Sequence, residues 1–193
     1  MNKIFSIDGI DNDSFNEVGE HLYNNLKPIL DDNRTIIFLC IGSDRSTGDS
    51  LGPLVGHNIK EFKNKNIYVY GSLYYPVHSQ NLDEVLKKIY ESFNDPYIVA
   101  IDASLGSFQN VGRVFIENKP LFPGLALNKD LPPVGDLSVT GVVNVSGNFE
   151  FMVLQNTRLY TVVTLAEFIA KGISYSIDKL MRKDDLVESL TNY

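Results

Sequence analysis

The chain has 193 residues, 44% of them hydrophobic, and 17 Lys and Arg against 24 Asp and Glu leave it at a formal net charge of −7. That length supports one well-buried core, and an acidic balance with no Lys/Arg-rich run excludes a nucleic-acid partner, whose phosphates demand an electropositive footprint. No apolar run approaches the roughly 20 residues of a membrane span, the N-terminus lacks a signal-peptide h-region, and a single cysteine excludes an intrachain disulfide framework, so a soluble, cytoplasmic chain with no membrane partner is expected.

The first predicted element is a helix. Ser14 with Glu17 forms a capping-box start, and Phe15, Val18, Leu22, Leu26 and Ile29 recur at helical spacing until the break at residues 31–34. Ile36 to Ile41 is a continuous apolar run of strand length that contains Cys40, read as a buried strand residue. Leu51, Leu54, Val55, Ile59 and Phe62 then make a helical stripe, and Ile67 to Tyr70 a second strand, completing a βαβ unit. Asn81 with Glu84 opens another helix, carried by Leu82, Val85, Leu86, Ile89 and Phe93 and stopped by Asp95-Pro96. Tyr97 to Ile101 gives a third buried strand, and Val111 to Glu117 a further one placed at the sheet edge.

Residues 118–135 hold four of the chain's eight prolines and read as a long ordered loop able to wall a site. Beyond Thr157, a stripe of Val162, Leu165, Ala166, Ile169, Ala170, Ile173 and Ile177 marks a long helix returning across the sheet. The tail after Lys179 is charged and weakly patterned. Alternating strands and helices with continuous apolar strands imply an α/β fold with a mainly parallel sheet covered on both faces. The expected organisation is a single domain over 1–193, with its core at 34–178 and the helix 14–30 and tail 179–193 as extensions.

The chemistry concentrates where the first apolar strand breaks into the turn IGSDRSTGDSLGP. Its glycines Gly42, Gly48 and Gly52 resemble a phosphate cradle, but there is no G-x-G-x-x-G and no G-K-[ST] ending, and Asp49 occupies the helix start that would face the anion. An acid in that place is ordinarily an N-cap. Asp102 directly follows the apolar run YIVAI, so in a parallel sheet it emerges at the same edge as Asp49. Two carboxylates meeting in one crevice can share a proton or hold a metal, and either arrangement activates water. The ordinary role for Asp102 is to bond nearby backbone amides, and Asp44 with Arg45 reads as a turn ion pair. Among the histidines, His57 and His21 read as solvated or structural, whereas His78 enters the same rim. Asp136, Thr140 and Asn144 fall on a turn or strand end with second-tier hydrogen-bonding capacity. No serine sits in a G-x-S-x-G elbow and Cys40 lies inside a strand, so a covalent nucleophile is not supported.

The runs CIGSDRSTGDSLGPLVG, PVHSQNL, AIDASLG, PPVGDLSVTGVVNVSG and MVLQNTRL, spread from Ile36 to about Ile173, resemble the YyaC-type spore protease family. That family is similar to the spore germination protease and to the hydrogenase maturation proteases, which implies a three-layer phosphorylase/hydrolase-like α/β core. The resemblance implies a sporulation-associated endopeptidase with Asp49 and Asp102 as an aspartic-type acid dyad. Beside that pair, Asp44, His78, Thr140 and Asn144 are second-tier candidates for orienting substrate, and no cofactor is expected. The partners that the resemblance implies are a protein or peptide substrate, small spore proteins among them, and a second copy of the chain as a homo-oligomer; its implied location is the cytoplasm of the sporulating cell or spore core. Hydrogenase maturation proteases recognise nickel with an acid, an aspartate and a later histidine, and this chain has no histidine after His78. Ser104 stands where many family members carry cysteine. Two further readings are a non-catalytic spore-assembly or peptide-binding protein, and a metal-dependent peptidase.

Overall fold

The computed structural model describes residues 4–10, 14–59, 66–123 and 132–191, with side chains described as far as 182. The apolar run IIFLC forms β2 (Ile36–Cys40), all five residues of which are buried. A strand with no polar face belongs at the centre of a sheet with layers on both sides. Accordingly, β2 lies between two parallel neighbours, β3 (Ile67–Tyr70) and β4 (Tyr97–Gly106). With β1 (Phe5–Asp8), β5 (Arg113–Glu117) and β6 (Leu137–Val145), the six-stranded sheet has the order β1-β5-β6-β4-β2-β3. β6 runs parallel to β4, and β5 is antiparallel to both β6 and β1.

Three expectations about the strands change. The strand at 113–117 is not at the edge, because the four-residue FSID segment covers it as β1; so short a run carries no periodicity to detect. β4 continues past Ile101 to Gly106, since β6 keeps pairing with it after β2 has ended, and Asp102 sits within the strand opposite Thr140. Of the residues read as lying on a turn or strand end, Thr140 falls in the middle of the nine-residue β6, whereas Asn144 is near its end.

Side chains alternate between the two faces of a strand. Val99 and Ile101 of β4, Leu137, Val139 and Val143 of β6, and Val114 and Ile116 of β5 face one core cluster. That cluster is closed by α1 (Phe15–Asp31), α2 (Leu51–Asn58) and α5 (Leu159–Thr191), through residues such as Leu22, Leu51 and Leu165. On the opposite face, Ile37 and Leu39 of β2 and Ile98 and Ala100 of β4 pack with Leu82 and Ile89 of α3 (Leu82–Ser92) and with Leu121 and Val134 of the following loop. The result is three layers, helix, sheet and helix, with far heavier cover on one side.

The first helix starts after Ser14 as expected, although the Ser14 side chain makes no cap hydrogen bond; the Glu17 N–H instead donates to the Ser14 carbonyl at 2.9 Å. Phe62 of the predicted second stripe lies outside the described residues, as do 124–131 of the proline-rich loop. The tail after Lys179 is not a separate segment, because α5 runs without interruption to Thr191; Lys, Arg, Glu and Leu are all good helix formers even where no apolar stripe holds them. A short α4 (Glu150–Gln155) was not expected, being too brief to show a period.

Candidate active site

The chain leaves β2 along a tightly bonded path. The Ile41 N–H donates to the Ile101 carbonyl at 2.7 Å, and the Gly42 N–H to Val77 at 2.8 Å. Gly42 has φ +139°, a backbone that L side chains rarely adopt, and a Cβ there would lie 2.0 Å from the Asp49 carbonyl oxygen. A Cβ on Gly52 would lie 2.0 Å from the Ile41 carbonyl oxygen. Both glycines therefore serve close backbone approach, drawing the 3-10 turn Gly48–Ser50 and the start of α2 against the end of β2. Asp49 rides on that turn. From β2 the chain goes out to β3 on one side and then crosses to β4 on the other, so the mouth between β2 and β4 is the topological switch point of the sheet.

Asp102 is the first residue of β4 beyond the last pair with β2, so its side chain faces the space that the chain vacates after Cys40. It shares the parity of Ile98 and Ala100 but lies past the apolar cover that α3 gives them. The carboxyl accepts the Ala103 N–H at 2.8 Å. Burial, and secondarily the Asp49 carboxylate, raise its pKa well above the usual carboxylate range, with the Ala103 bond opposing in part. Asp49 and Asp102 are thus electrostatically coupled, and they line one cavity of about 440 Å³.

The same parity brings Ser104 of β4, Ser138 and Thr140 of β6 and Glu117 of β5 into that cavity. Lys119, Leu121 and Phe122 of the proline-rich loop form another wall, in keeping with the expectation for that loop, and Lys119 pairs with Glu117 at 2.8 Å. Glu150 and Leu154 of α4 close it. Asp49 and Leu154 also border a second cavity of about 420 Å³, which contains Arg45, Ser46, His78, Gln80 and Phe151.

The residues singled out in the sequence therefore fall into two groups. Asp49, Asp102 and Thr140 share the first cavity, and His78 meets Asp49 in the second. Asp44 is exposed on the turn and lines neither cavity, and no ion pair joins it to Arg45, so that expected contact is absent. Asn144 lines neither; its amide donates to Thr157 Oγ1 at 3.2 Å and its Oδ1 accepts the Val145 N–H, which ties β6 to the segment after α4. Asp136 clamps the start of β4, accepting the Ile98 N–H at 2.8 Å. His21 stacks on Phe5 at 4.4 Å, and Cys40 is buried, which pushes its thiol pKa up.

His78 borders the second cavity and Asp102 the first, and no group of three or more His, Cys, Asp or Glu side chains among the described residues is arranged to hold a metal ion. Glu117, Lys119, Phe122, Ser138, Glu150 and Leu154 were missed in the sequence, and Ser104 was noted there only for the cysteine it replaces. For Ser104, Ser138 and Glu117 a signal existed: polar residues alternating with apolar ones where β4, β5 and β6 lose their helix cover. The others come from a loop and a two-turn helix, which carry no period.

Residues 7–172 match the family described as a protein of unknown function, DUF1256. The chain is 48% identical over 141 residues to the protein YyaC of Bacillus subtilis (strain 168), described as uncharacterized, covering 73% of this chain and 69% of that one. Among solved structures it is similar to the [NiFe] hydrogenase maturation protease HycI from Thermococcus kodakarensis KOD1, with 17% identity, a TM-score of 0.44, and coverage of 77% of this chain and 98% of that one. With the family match spanning most of its length and a relative of this identity beside it, the chain belongs to the DUF1256 family.

Proposed function

We propose that this chain is a peptide-bond hydrolase in which Asp49 and Asp102 act as an acid dyad. The observation that carries this reading is that the two carboxyls line one cavity, where burial and then Asp49 raise the Asp102 pKa well above the usual carboxylate range. Two acids whose environments differ can divide the roles of base and acid. The Asp49 carboxylate takes a proton from water as the water oxygen attacks the scissile carbonyl carbon, while the Asp102 carboxylic acid donates its proton to the carbonyl oxygen. Collapse of the tetrahedral adduct breaks the C–N bond: the proton gained by Asp49 passes to the leaving amine, and a hydroxyl proton of the adduct returns to the Asp102 carboxylate as the product carboxylic acid forms, which restores both acids to their starting states. Thr140, opposite Asp102, orients the substrate from the cavity wall; His78 contributes from the other side of Asp49.

The sequence motifs shared with spore proteases support small spore proteins as substrates and the sporulating cell as the setting. Incubating the pure protein with such proteins and resolving the products by mass spectrometry tests the reading. Discrete fragments that disappear in Asp102→Asn are expected. Retention of the proteins without cleavage marks a peptide-binding protein instead, and equal turnover by Asp102→Asn removes the dyad.

A further inference from the structure

The cavity on the far side of Asp49 is built differently from the one over Asp102. It holds a hydroxyl, Ser46 Oγ, that is buried with no hydrogen-bond partner among the described residues. A buried donor left unmet costs free energy, so its persistence beside a cavity points to a group that binds there. Arg45 lines the same space, and no ion pair engages it among the described residues. The Gln80 N–H donates to His78 Nδ1 at 3.3 Å, which places the proton of the neutral ring on Nε2 and makes that nitrogen a donor.

Guanidinium, hydroxyl and imidazole N–H together form a donor set suited to a carboxylate. The first cavity has the opposite character: Asp102, Glu117 and Glu150 line it, and Lys119, the one lysine lining it among the described residues, is paired to Glu117. Asp49 lines both cavities and Asp44 neither, so the groups that can receive an anion are Arg45, Ser46 and His78 of the second cavity.

We infer that the Arg45, Ser46 and His78 cavity is a subsite for a carboxylate carried by a polypeptide, which sets the direction in which the chain crosses Asp49. This rests on the reading of the Asp49 and Asp102 cleft as a peptide site, but not on turnover. It is tested by fluorescence anisotropy with labelled ten-residue peptides of Ser, Ala and Phe, amidated at the C-terminus and carrying one central Glu, Gln or Lys. The full chain bearing Asp102→Asn is used for binding and the unaltered chain for cleavage.

Glu is expected to bind about tenfold more tightly than Gln, since hydrogen bonds to a charged group outweigh neutral ones by roughly that factor. Arg45→Gln and Ser46→Ala should each reduce that preference, with the melting temperature unchanged in Arg45→Gln and raised in Ser46→Ala, which removes the unmet hydroxyl. A peptide without Glu but with a free C-terminus separates the sources: tight binding of it would identify a chain terminus as the carboxylate, and weak binding an acidic side chain, either of which supports the subsite if Arg45→Gln abolishes it. Equal affinity for all peptides, or a preference that survives both substitutions, overturns the inference. A Glu preference without cleavage by the unaltered chain leaves the subsite standing and rejects the hydrolase.

Discussion

The two faces of the sheet make opposite use of the same strands. On one, Val99, Ile101, Leu137, Val139, Val114 and Ile116 are sealed beneath α1, α2 and α5. On the other, α3 covers β2 and the first half of β4, and then the helix layer stops. Beyond that limit the side chains become Asp102, Ser104, Ser138, Thr140 and Glu117, and a cavity replaces the core. The alternation along β4 and β6 thus separates stability from chemistry: odd positions hold the fold together, and even positions past the cover of α3 carry groups that a packed core would exclude.

The sharpest break of that contrast is Asp102→Asn on the open face. It should lower kcat/KM about 10³-fold, the scale of a lost general acid, in a peptide-cleavage assay. It should also raise the melting temperature at neutral pH. With its native pKa above the unfolded value, Asp102 binds more proton in the folded state, so stability falls as pH rises from the unfolded value of about 3.9 towards the raised native one. Asn removes that slope, and the gain should vanish in melts below about pH 4; a variant that melts lower at pH 7 would return Asp102 to a structural role.

Leu165→Ala on the sealed face should do the converse. It deletes a fully buried side chain from the α5 contact and should cost about 3 kcal/mol in urea unfolding, with kcat/KM per folded molecule unchanged. Gly52→Ala tests the joint between the faces. Its Cβ would meet backbone, not a movable side chain, so a cost of about 2 kcal/mol is expected together with reduced activity as Asp49 is displaced. The smallest effect is Asp49→Asn on its partner: losing the secondary of the two causes should move the Asp102 pKa downward but leave it raised by burial, as followed by NMR titration of the carboxyl.

Much of the architecture was legible because burial leaves a period. IIFLC could only be a central strand, and the stripes of α1, α3 and α5 announced their faces. β1 and α4 were not legible, since four and six residues are too few to show one. Asp49 and Asp102 are expected to meet if Asp102 is a strand end; they line one cavity although Asp102 lies inside β4, and Lys119, Phe122, Glu150 and Leu154 were not singled out, because a loop and a short helix carry no record of what they pack beside. Asp44 and Asn144 show the reverse case: polar residues in the right stretch of chain whose side chains the fold directs elsewhere.

Local order determined that this chain would build parallel strands around β2 and bring two acids, Asp49 on the turn after β2 and Asp102 on β4, towards the same rim. Only the tertiary structure decided that β4 outruns β2 and that the helix layer ends where it does. Those limits depend on pairing between β4 and β6, whose paired residues lie 38 or more positions apart in sequence. They expose Asp102 to a cavity rather than to a helix, because a strand's pattern records that a face is polar but not which distant segment will leave room above it.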